Sequence, residues 1–299
     1  MLTQTLDVLS PQPNQTIVDC TVGLGGHAAA ILERLKPHGR LIGIDMDTQN
    51  LADARVKLQR VRGREGTVRF ELIHSNFAAL PEVLKGAGVE LGTVDGVLAD
   101  IGVASTQIDD PSRGCSYRRP GPLDMRMDPT RGEPASTLVN TLSEDELAQA
   151  LLEFGDEADA PHIARLIVQR RKDQPFTTTE QLMAIVCEAR DFTIERAAHA
   201  KLHPAARTFQ AIRIMVNTEL DNLDQLLIDL PRVLKPAGTA AIITFHSGED
   251  RRVKHAFRDG QRAGIYSADG RDPIIADEVE QKRNPRSRPA KLRWAKLSG

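Results

Sequence analysis

The chain has 299 residues, 40% of them hydrophobic, which suffices for a core in one large domain or two ordinary ones. No apolar stretch approaches the ~20 residues that a membrane-spanning helix needs, and the N-terminus lacks the basic start and long apolar region of a secretory signal. The net charge is −2, but residues 281–299 carry seven Lys or Arg and no acid, so a basic tail follows an acidic body.

The first hundred residues alternate between two periodicities. Apolar runs predict four strands, "TIVDCTV", "RLIGIDMD", "VRFELIHSNF" and "VDGVLADIGV". A helical pattern follows each of the first three strands. Alternating strands and helices with apolar strands predict a parallel sheet that helices cover on both faces. The fold class is therefore doubly wound α/β.

The pattern changes after the fourth strand. Residues 111–135 are rich in Pro, Gly and Arg, and a loop of this length is typical of a functional segment. Helical segments without strands follow, and two of them begin with a predicted capping box, Ser143 to Glu146 and Thr177 to Glu180. We predict a helical insertion over 111–203 in a sheet domain made of 1–110 and 204–299.

The strand pattern returns towards the end of the chain. Apolar residues from Phe209 to Leu230 recur at steps of three and four, which predicts one long helix after Pro204. "AGTAAIITFHS" is predicted to be a fifth strand, "EDRRVKHAFRD" a helix and "AKLRWAKL" a last strand.

A glycine turn joins the first strand to the first helix. Residues 23–28, "GLGGHA", satisfy the dinucleotide pattern G-x-G-x-x-G/A, and Asp45 closes the second strand about twenty residues on, where an acid would bind ribose hydroxyls. The backbone of such a turn approaches a ligand closely, and the first helical N–H groups attract negative charge. The turn predicts a nucleoside-containing cofactor, and NAD fits this pattern.

Three further features favour S-adenosylmethionine. Asp19 ends the first strand, where its carboxylate can face a cationic ligand or accept a hydrogen bond within the turn. Asp100 ends the fourth strand at the carboxyl edge, where open α/β sheets bind ligands. "RVLKPAGTAAIITFHS" is similar to the helix–turn–strand entry to the fifth strand of class I methyltransferases.

From residue 17 to the end, the sequence resembles the ribosomal RNA small subunit methyltransferase H family, the cytosine-N4 methyltransferases of bacterial 16S rRNA. The resemblance implies a class I S-adenosylmethionine-dependent methyltransferase, a Rossmann-like sheet with an inserted helical substrate-recognition domain. It also implies a His-x-Pro-Val segment just upstream of "MLTQTLDVL", which the sequence does not contain. The matching stretches are "DCTVGLGGHA", "GIDMD", "HSNF", "DIGVASTQIDDPSRGCSYRRPGPLDMRMDP", "LHPAARTFQAIRIMVNTEL", "ITFHSGEDRRVK" and "NPRSRPAKLR".

The resemblance also implies which side chains bind the cofactor. It implies that Gly25, Gly26 and His27 in the turn contact the cofactor and that Asp45 binds the ribose. Phe77 would lie beside the adenine, and Asp100 and Gln107 at the methyl-donor end. Because the N4 lone pair of cytidine is delocalised into the ring, the enzyme needs an acceptor for the amino proton. Asp100 is the candidate acceptor, as a hypothesis. Other amino-methyltransferases often carry Asn-Pro-Pro-aromatic at this strand end, and this sequence has "DIGV" instead.

RNA binding is expected from arginines rather than from an aromatic surface. A-form grooves hide N4, so the target must lie outside a helix. Eleven aromatic residues are too few for an extended stacking platform, and Tyr117 is the candidate for one stacking contact. Each arginine alone is also compatible with a salt bridge or a solvated position. The phosphate-binding candidates are Arg113, Arg118, Arg119, Arg251, Arg252, Arg286 and Arg288, with Arg126, Arg131, Lys254, Arg283, Lys291 and Arg293 in the same three groups.

Three cysteines, Cys20, Cys115 and Cys187, are widely spaced and form no CxxC pair. This spacing indicates neither a disulfide framework nor a zinc site, so we expect a cytoplasmic protein without a catalytic metal. The expected partner is small-subunit rRNA or the assembled small subunit, and no membrane. The oligomeric state, a dimer included, is open.

Competing hypotheses explain fewer of these features. An NAD-dependent oxidoreductase accounts for the glycine turn and Asp45 but not for residues 100–129. A non-enzymatic ribosome-assembly factor accounts for the basic groups, but it does not require the turn and the acids at the strand ends. A protein or DNA methyltransferase is the nearest enzymatic alternative.

Overall fold

The computed structural model describes residues 1–63 and 66–299, which divide into two compact units. The first unit comprises residues 1–102 and 220–299, and the second comprises residues 103–219. The helices are α1 Leu2–Leu9, α2 Gly26–Arg34, α3 Thr48–Arg62, α4 Leu80–Gly86, α5 Ser105–Asp109, α6 Ala135–Thr141, α7 Glu144–Gly155, α8 Ala160–Arg170, α9 Thr179–Ala189, α10 Ile194–Ala198, α11 Ala206–Asn217, α12 Glu219–Val233, α13 Ser247–Arg262 and α14 Glu278–Arg283. The strands are β1 Thr16–Asp19, β2 Arg40–Asp45, β3 Arg69–His74, β4 Val94–Asp100, β5 Leu234–Thr244, β6 Tyr266–Asp269, β7 Ile274–Ile275 and β8 Lys291–Leu297.

One sheet organises the first unit. Within the described ranges, eight strands form it in the order β3-β2-β1-β4-β5-β8-β6, and β7 pairs with β8. Strands β1 to β5 are parallel, whereas β8 is antiparallel to β5, and β6 and β7 are antiparallel to β8. The predicted doubly wound α/β class is confirmed, and the carboxyl ends of five parallel strands share one edge.

Helices bury both faces of this sheet, which explains why its strands are apolar runs. In β1, Ile17 points to a core formed with α1, α2 and α3, and the next residue, Val18, points to a core formed with α4, α12 and α13. In β4, Leu98 and Val97 alternate in the same way. All four side chains are at most 1% exposed, so the sheet is a rigid platform for whatever its carboxyl edge carries.

The second unit is helical around its own core, which includes Leu123 and Met125 from the long loop. The capping box from Ser143 to Glu146 is confirmed at the start of α7. The second predicted box was placed one residue too early, because Thr178 accepts from Gln181 and α9 begins at Thr179. Three consecutive threonines offer equivalent hydroxyls, so the spacing alone does not identify the capping residue.

The single long helix predicted after Pro204 is wrong. The chain forms α11 and α12, separated by Thr218 in a left-handed conformation (φ 47°) whose N–H donates to two carbonyls of the last turn of α11. The apolar stripe continues past the break because its first part packs in one core and its second part packs in another. Phe209 and Ile212 pack in the second unit's core, whereas Leu223 and Leu230 pack in the first unit's core.

Short elements escaped prediction. Strands β6 and β7 have four and two residues, too few to show an alternation, and α1 has only eight residues. Helix α1 is held by Leu6 and Leu9, which are buried against the sheet. No helix in the described part of the chain is both long and apolar enough to cross a bilayer.

Asn217 fixes the long loop of the second unit. Its Oδ1 accepts the N–H of Met127 at 2.7 Å, and its Nδ2 donates to the carbonyls of Met125 at 2.8 Å and Arg213 at 2.9 Å. Asn217 is buried, and Met125 adopts a left-handed φ of 63°, which is strained for a residue with a side chain. The amide therefore holds the loop in a conformation that it would not keep alone.

We expect Asn217→Ala to destabilise the protein by about 2–4 kcal/mol, because buried loop N–H and C=O groups lose their partners. Chemical denaturation measures this as a lower midpoint at unchanged slope. Asn284→Ala, at an exposed position, is the control and should leave the midpoint unchanged. Equal midpoints for the two variants would contradict the assigned role of Asn217.

Candidate active site

Three aspartates end three neighbouring strands of the first unit. Asp19 ends β1, Asp45 ends β2 and Asp100 ends β4, and in the sheet β1 lies between the other two. Burial raises the pKa of all three, that of Asp19 to about 7 and that of Asp100 to about 6. The charges of Asp100 and Asp45 raise the pKa of Asp19 further, so the three carboxylates form one electrostatic cluster.

Asp19 is the most deeply buried of the three, with no exposed surface. Its Oδ1 accepts the N–H of Thr21 at 3.1 Å, which is the turn hydrogen bond that the sequence left open. Its Oδ2 is buried and has no hydrogen-bond partner among the described residues. A buried carboxylate oxygen without a donor is costly, so the group must be protonated or face a positively charged ligand.

Thr21 links two strand ends, a role that the sequence did not indicate. Its N–H donates to Asp19, and its Oγ1 accepts the N–H of Asp100 at 2.6 Å. The strands β1 and β4 are adjacent in the sheet, although β2 and β3 separate them in the chain. Thr21 therefore ties the carboxylate of Asp19 to the backbone of Asp100.

The glycine turn has the open geometry that the motif predicts. Gly23 and Gly25 have left-handed φ angles of 51° and 72°, and a Cβ on Gly25 would lie 3.2 Å from Ala54 of α3. A Cβ on Gly26 would meet nothing within 4 Å, so this residue borders open space. The helix has no side-chain cap, so the N–H groups at the start of α2 point towards this space and suit an electron-rich ligand.

Asp45 supports the turn as well as lining the edge. It accepts the N–H of Gly23 at 2.7 Å, the N–H of Asp47 at 2.8 Å and Nδ2 of Asn50 at 3.4 Å. Phe77 follows β3 at the same edge of the sheet, in a short 3-10 turn, and packs half-buried against the core. Asp45 and Phe77 therefore both lie at the carboxyl edge of the sheet.

His27 and Asp100 lie close together across the turn. Nδ1 of His27 is 3.5 Å from Oδ2 of Asp100, while Oδ1 of Asp100 is buried without a hydrogen-bond partner among the described residues. Burial lowers the pKa of His27 to about 4, so its imidazole is neutral at pH 7. A neutral imidazole beside an ionised carboxylate orients that carboxylate without neutralising it. Oδ1 of Asp100 then remains a hydrogen-bond acceptor for a ligand.

Glu249, in α13 just after β5, adds a fourth acidic residue to this edge. Glu249 is buried and accepts the N–H of Phe245 at 2.7 Å and the N–H of His246 at 3.3 Å, which caps α13. Nε2 of His246 lies 3.1 Å from Oε1 of Glu249. The charge of Glu249 adds to burial in raising the pKa of Asp100. His246 thus has a structural partner within the first unit.

Gln107, Tyr117 and Arg113 belong to the second unit and make contacts inside it. Gln107 is buried, and its Oε1 accepts the N–H of Ala104 at 3.1 Å. Tyr117 stacks on His203 with ring centroids 4.4 Å apart and meets Phe209 edge-on. Arg113 donates to the carbonyl of Met127 at 2.9 Å. Tyr117 and Arg113 therefore also order the loop that carries them.

The predicted phosphate-binding arginines differ in exposure, and several of them pair with acidic residues. Arg118, Arg251, Arg286 and Arg288 are exposed. Arg119 contacts Asp109, Arg252 binds Asp224 at 3.1 Å, and Arg126 makes two hydrogen bonds to Asp124 at 2.8 Å. The predicted terminal cluster is split, because Lys291 and Arg293 bind Asp250 at 2.9 and 2.6 Å and Arg293 is 5% exposed.

Known proteins resemble the chain along its whole length. The sequence model of the MraW methylase family matches residues 1–298. The chain is 43% identical over 296 residues to ribosomal RNA small subunit methyltransferase H of Sorangium cellulosum, covering 99% of this chain and 89% of that protein. Proteins of the same name from Koribacter versatilis and Symbiobacterium thermophilum are 42% and 43% identical, cover 98% of this chain and are covered to 91% and 94%. A solved SAM-dependent methyltransferase from Aquifex aeolicus is similar with a TM-score of 0.41 at 12% identity, over 99% of this chain and 87% of that one.

Proposed function

Because the chain belongs to the MraW methylase family, we propose that it transfers a methyl group from S-adenosylmethionine to N4 of a cytidine in small-subunit rRNA. The family resemblance predicted from the sequence is thereby confirmed. The observation that carries the proposal is the carboxyl edge, where Asp19, Asp45 and Asp100 lie by the glycine turn and two buried carboxylate oxygens have no hydrogen-bond partner among the described residues. The free cysteines suit the reducing cytoplasm in which this reaction would occur.

The residues at this edge fit S-adenosylmethionine. When bound, the cofactor supplies a methyl group on a positively charged sulfonium, beside an ammonium, a carboxylate and a ribose. The orphaned oxygen of Asp19 suits its positive groups, and the turn at Gly25 and Gly26 admits its backbone contacts. We assign Asp45 to the ribose hydroxyls. The further proposed contacts are His27, Phe77 beside the adenine, and Gln107 at the methyl-donor end.

Asp100 is the proposed catalytic residue. Its Oδ1 would accept a hydrogen bond from the amino group of cytidine, which draws electron density onto N4 and holds the nitrogen in line. Burial raises the pKa of Asp100 to about 6, so the carboxylate is a stronger base than an exposed aspartate and is still ionised at pH 7. Asp100 can therefore take the proton that N4 releases. His27 would hold the other oxygen in place.

Cofactor affinity should depend on pH through Asp19. Its pKa in the free protein is raised to about 7 by burial, so at lower pH the carboxyl is neutral and must lose its proton to face a cation. We expect Kd for S-adenosylmethionine to fall as pH rises from 5.5 to 7, by at most roughly tenfold per unit, and to level off above pH 7. Isothermal titration in two buffers of different ionisation enthalpy measures both Kd and the released proton.

Asp19→Asn provides the matched test of this dependence. Asparagine keeps an acceptor for the N–H of Thr21 but carries no charge, so Kd should be weaker at pH 8 and nearly independent of pH. The folded pKa of Asp19 lies above its unfolded value, so its stabilising contribution is lost as pH rises through 7. The variant should thus melt no lower than wild type at pH 8. If Kd depends on pH in Asp19→Asn as it does in wild type, a group other than Asp19 is responsible for the pH dependence.

RNA binding should depend on Arg251. This exposed residue is the fifth residue of α13, the helix that follows the carboxyl end of β5 at the edge that carries Asp100. We expect Arg251→Ala to weaken binding of small-subunit rRNA and to reduce the slope of log K against log salt by roughly 0.7–0.9. Arg262→Ala, at the other end of the same helix, is the control and should keep the wild-type slope. Equal slopes for both variants would remove Arg251 from the RNA interface.

Nucleoside mass spectrometry tests the proposed reaction. Unmethylated small subunits and naked small-subunit rRNA are incubated separately with the protein and S-adenosylmethionine, then digested to nucleosides. We expect N4-methylcytidine with one of the two substrates, which also distinguishes RNA from the assembled subunit. Another methylated nucleoside would overturn the assigned base, and no methyl incorporation into either substrate would overturn the proposed function.

A further inference from the structure

A cavity of about 900 Å³ lies at the opposite edge of the sheet in the first unit. It is lined by α1, by the first residues of β4 and β5, and by parts of β7 and β8. Asp95 lines it near the start of β4, whereas Asp100 ends that strand; at 3.3 Å per residue the two are roughly 16 Å apart. The cavity is therefore separate from the carboxyl edge.

One wall of this cavity is the chain's single tryptophan. Trp294 lies on β8 opposite Ala241 of β5 and is only partly buried. Gly270 packs against its ring, since a Cβ there would lie 2.7 Å from Nε1. The ring is not fully covered by these small neighbours, and Trp294 borders the open volume. Such a surface suits another flat ring.

The charges around the ring are only partly compensated. Lys235 forms an ion pair with Asp95, whose other oxygen accepts the N–H of Thr16 at 2.8 Å. Lys296, two residues after Trp294, is exposed, and its ammonium has no ion-pair partner in the described ranges. Asp7 of α1 supplies a carboxylate to the same cavity. One cation and one carboxylate thus remain available to a ligand.

We propose that this cavity binds a nucleotide, with the base stacked on Trp294 and the phosphate at Lys296. Asp7 then accepts a hydrogen bond from an exocyclic amino group of the base. A volume of this size is typical of ligand sites, and a base on an aromatic side chain gains roughly 5- to 150-fold in affinity. The nucleotide is either free or part of an RNA chain, and only the RNA source depends on the function proposed above.

The fluorescence of Trp294 tests the proposal directly, because no other tryptophan contributes. The protein is first saturated with S-adenosylhomocysteine, so that added nucleotides cannot act through the cofactor site. It is then titrated with cytidine, adenosine and uridine 5′-monophosphates and with a hexacytidylate. We expect saturable quenching, weakened roughly tenfold by Lys296→Glu. Lys282→Glu, an exposed change on α14, should leave the quenching unchanged.

The base contact has its own test. Asp7→Ala should weaken cytidine and adenosine monophosphates and leave uridine monophosphate unchanged, since uracil has no amino group for Asp7 to accept from. Tighter binding of hexacytidylate than of the monophosphate would identify RNA as the source, and equal binding would identify the free nucleotide. Equal quenching by inorganic phosphate alone, or no saturable quenching by any nucleotide, would overturn the proposal. The two results that would overturn the proposal do not depend on whether the protein methylates RNA.

Discussion

The Asp100→Ala variant is expected to bind S-adenosylmethionine and to lose methyl transfer by roughly 10²–10⁴-fold in kcat, the range for removal of a positioned proton acceptor. The reason is the buried Oδ1, which no described residue satisfies and which the proposal gives to the amino group of cytidine. Single-turnover methyl incorporation at saturating cofactor and RNA measures the chemical step. The wild-type rate should rise with pH through about 6, where Asp100 ionises, and stay level above that pH.

Two controls separate chemistry from structure in that experiment. Asp272→Ala removes an exposed aspartate of the same unit and should retain full turnover. Asp100→Asn keeps an acceptor oxygen but cannot take a proton, so it should fall between alanine and wild type. Turnover unchanged in Asp100→Ala at saturating cofactor would exclude Asp100 from the reaction.

The carboxyl-edge cluster could be predicted because it depends on strand ends alone. A carboxylate at the end of an apolar run, repeated at Asp19, Asp45 and Asp100, identifies one edge once the sheet is parallel. The contacts made by Thr21 and by His27 could not be predicted in the same way. Both residues contact Asp100, and these contacts exist because β4 pairs with β1 in the sheet. In the chain, β2 and β3 come between those two strands. Strand order is a tertiary property, so local patterns do not specify it.

Charge pairing was the other feature beyond the reach of the sequence. Arg293 belongs to a run of basic residues that is typical of a solvated tail, yet it is buried on β8 against Asp250 of α13, 43 residues earlier. The sequence shows the charge but not the partner, since antiparallel pairing of β8 with β5 brings the two together. The same holds for Arg252 and Asp224. Exposure in the fold, rather than basic composition, selects the arginines that remain candidates for RNA.

Gly26→Val is expected to raise Kd for S-adenosylmethionine by roughly 10- to 100-fold without lowering the melting temperature. A Cβ on Gly26 meets nothing within 4 Å, so the folded protein accommodates valine, and the added methyl groups occupy the open space that the proposal gives to the cofactor. Gly25→Val should differ, because Gly25 has a φ of 72° and lies against Ala54. That variant should lose stability as well as affinity.

Gly86→Val completes the comparison. A Cβ on Gly86 would also meet nothing within 4 Å, but this residue ends α4, remote from the glycine turn in the chain. We expect this variant to bind S-adenosylmethionine with the wild-type Kd. If only Gly26→Val loses affinity, the cause is the position of the added side chain and not its size. Thermal melting with and without cofactor measures both quantities on one sample, since a bound ligand raises the melting temperature. A cofactor-induced shift in Gly26→Val as large as that of wild type would place the cofactor away from the turn, and the assignments of Gly25, Gly26 and Asp45 would fall together.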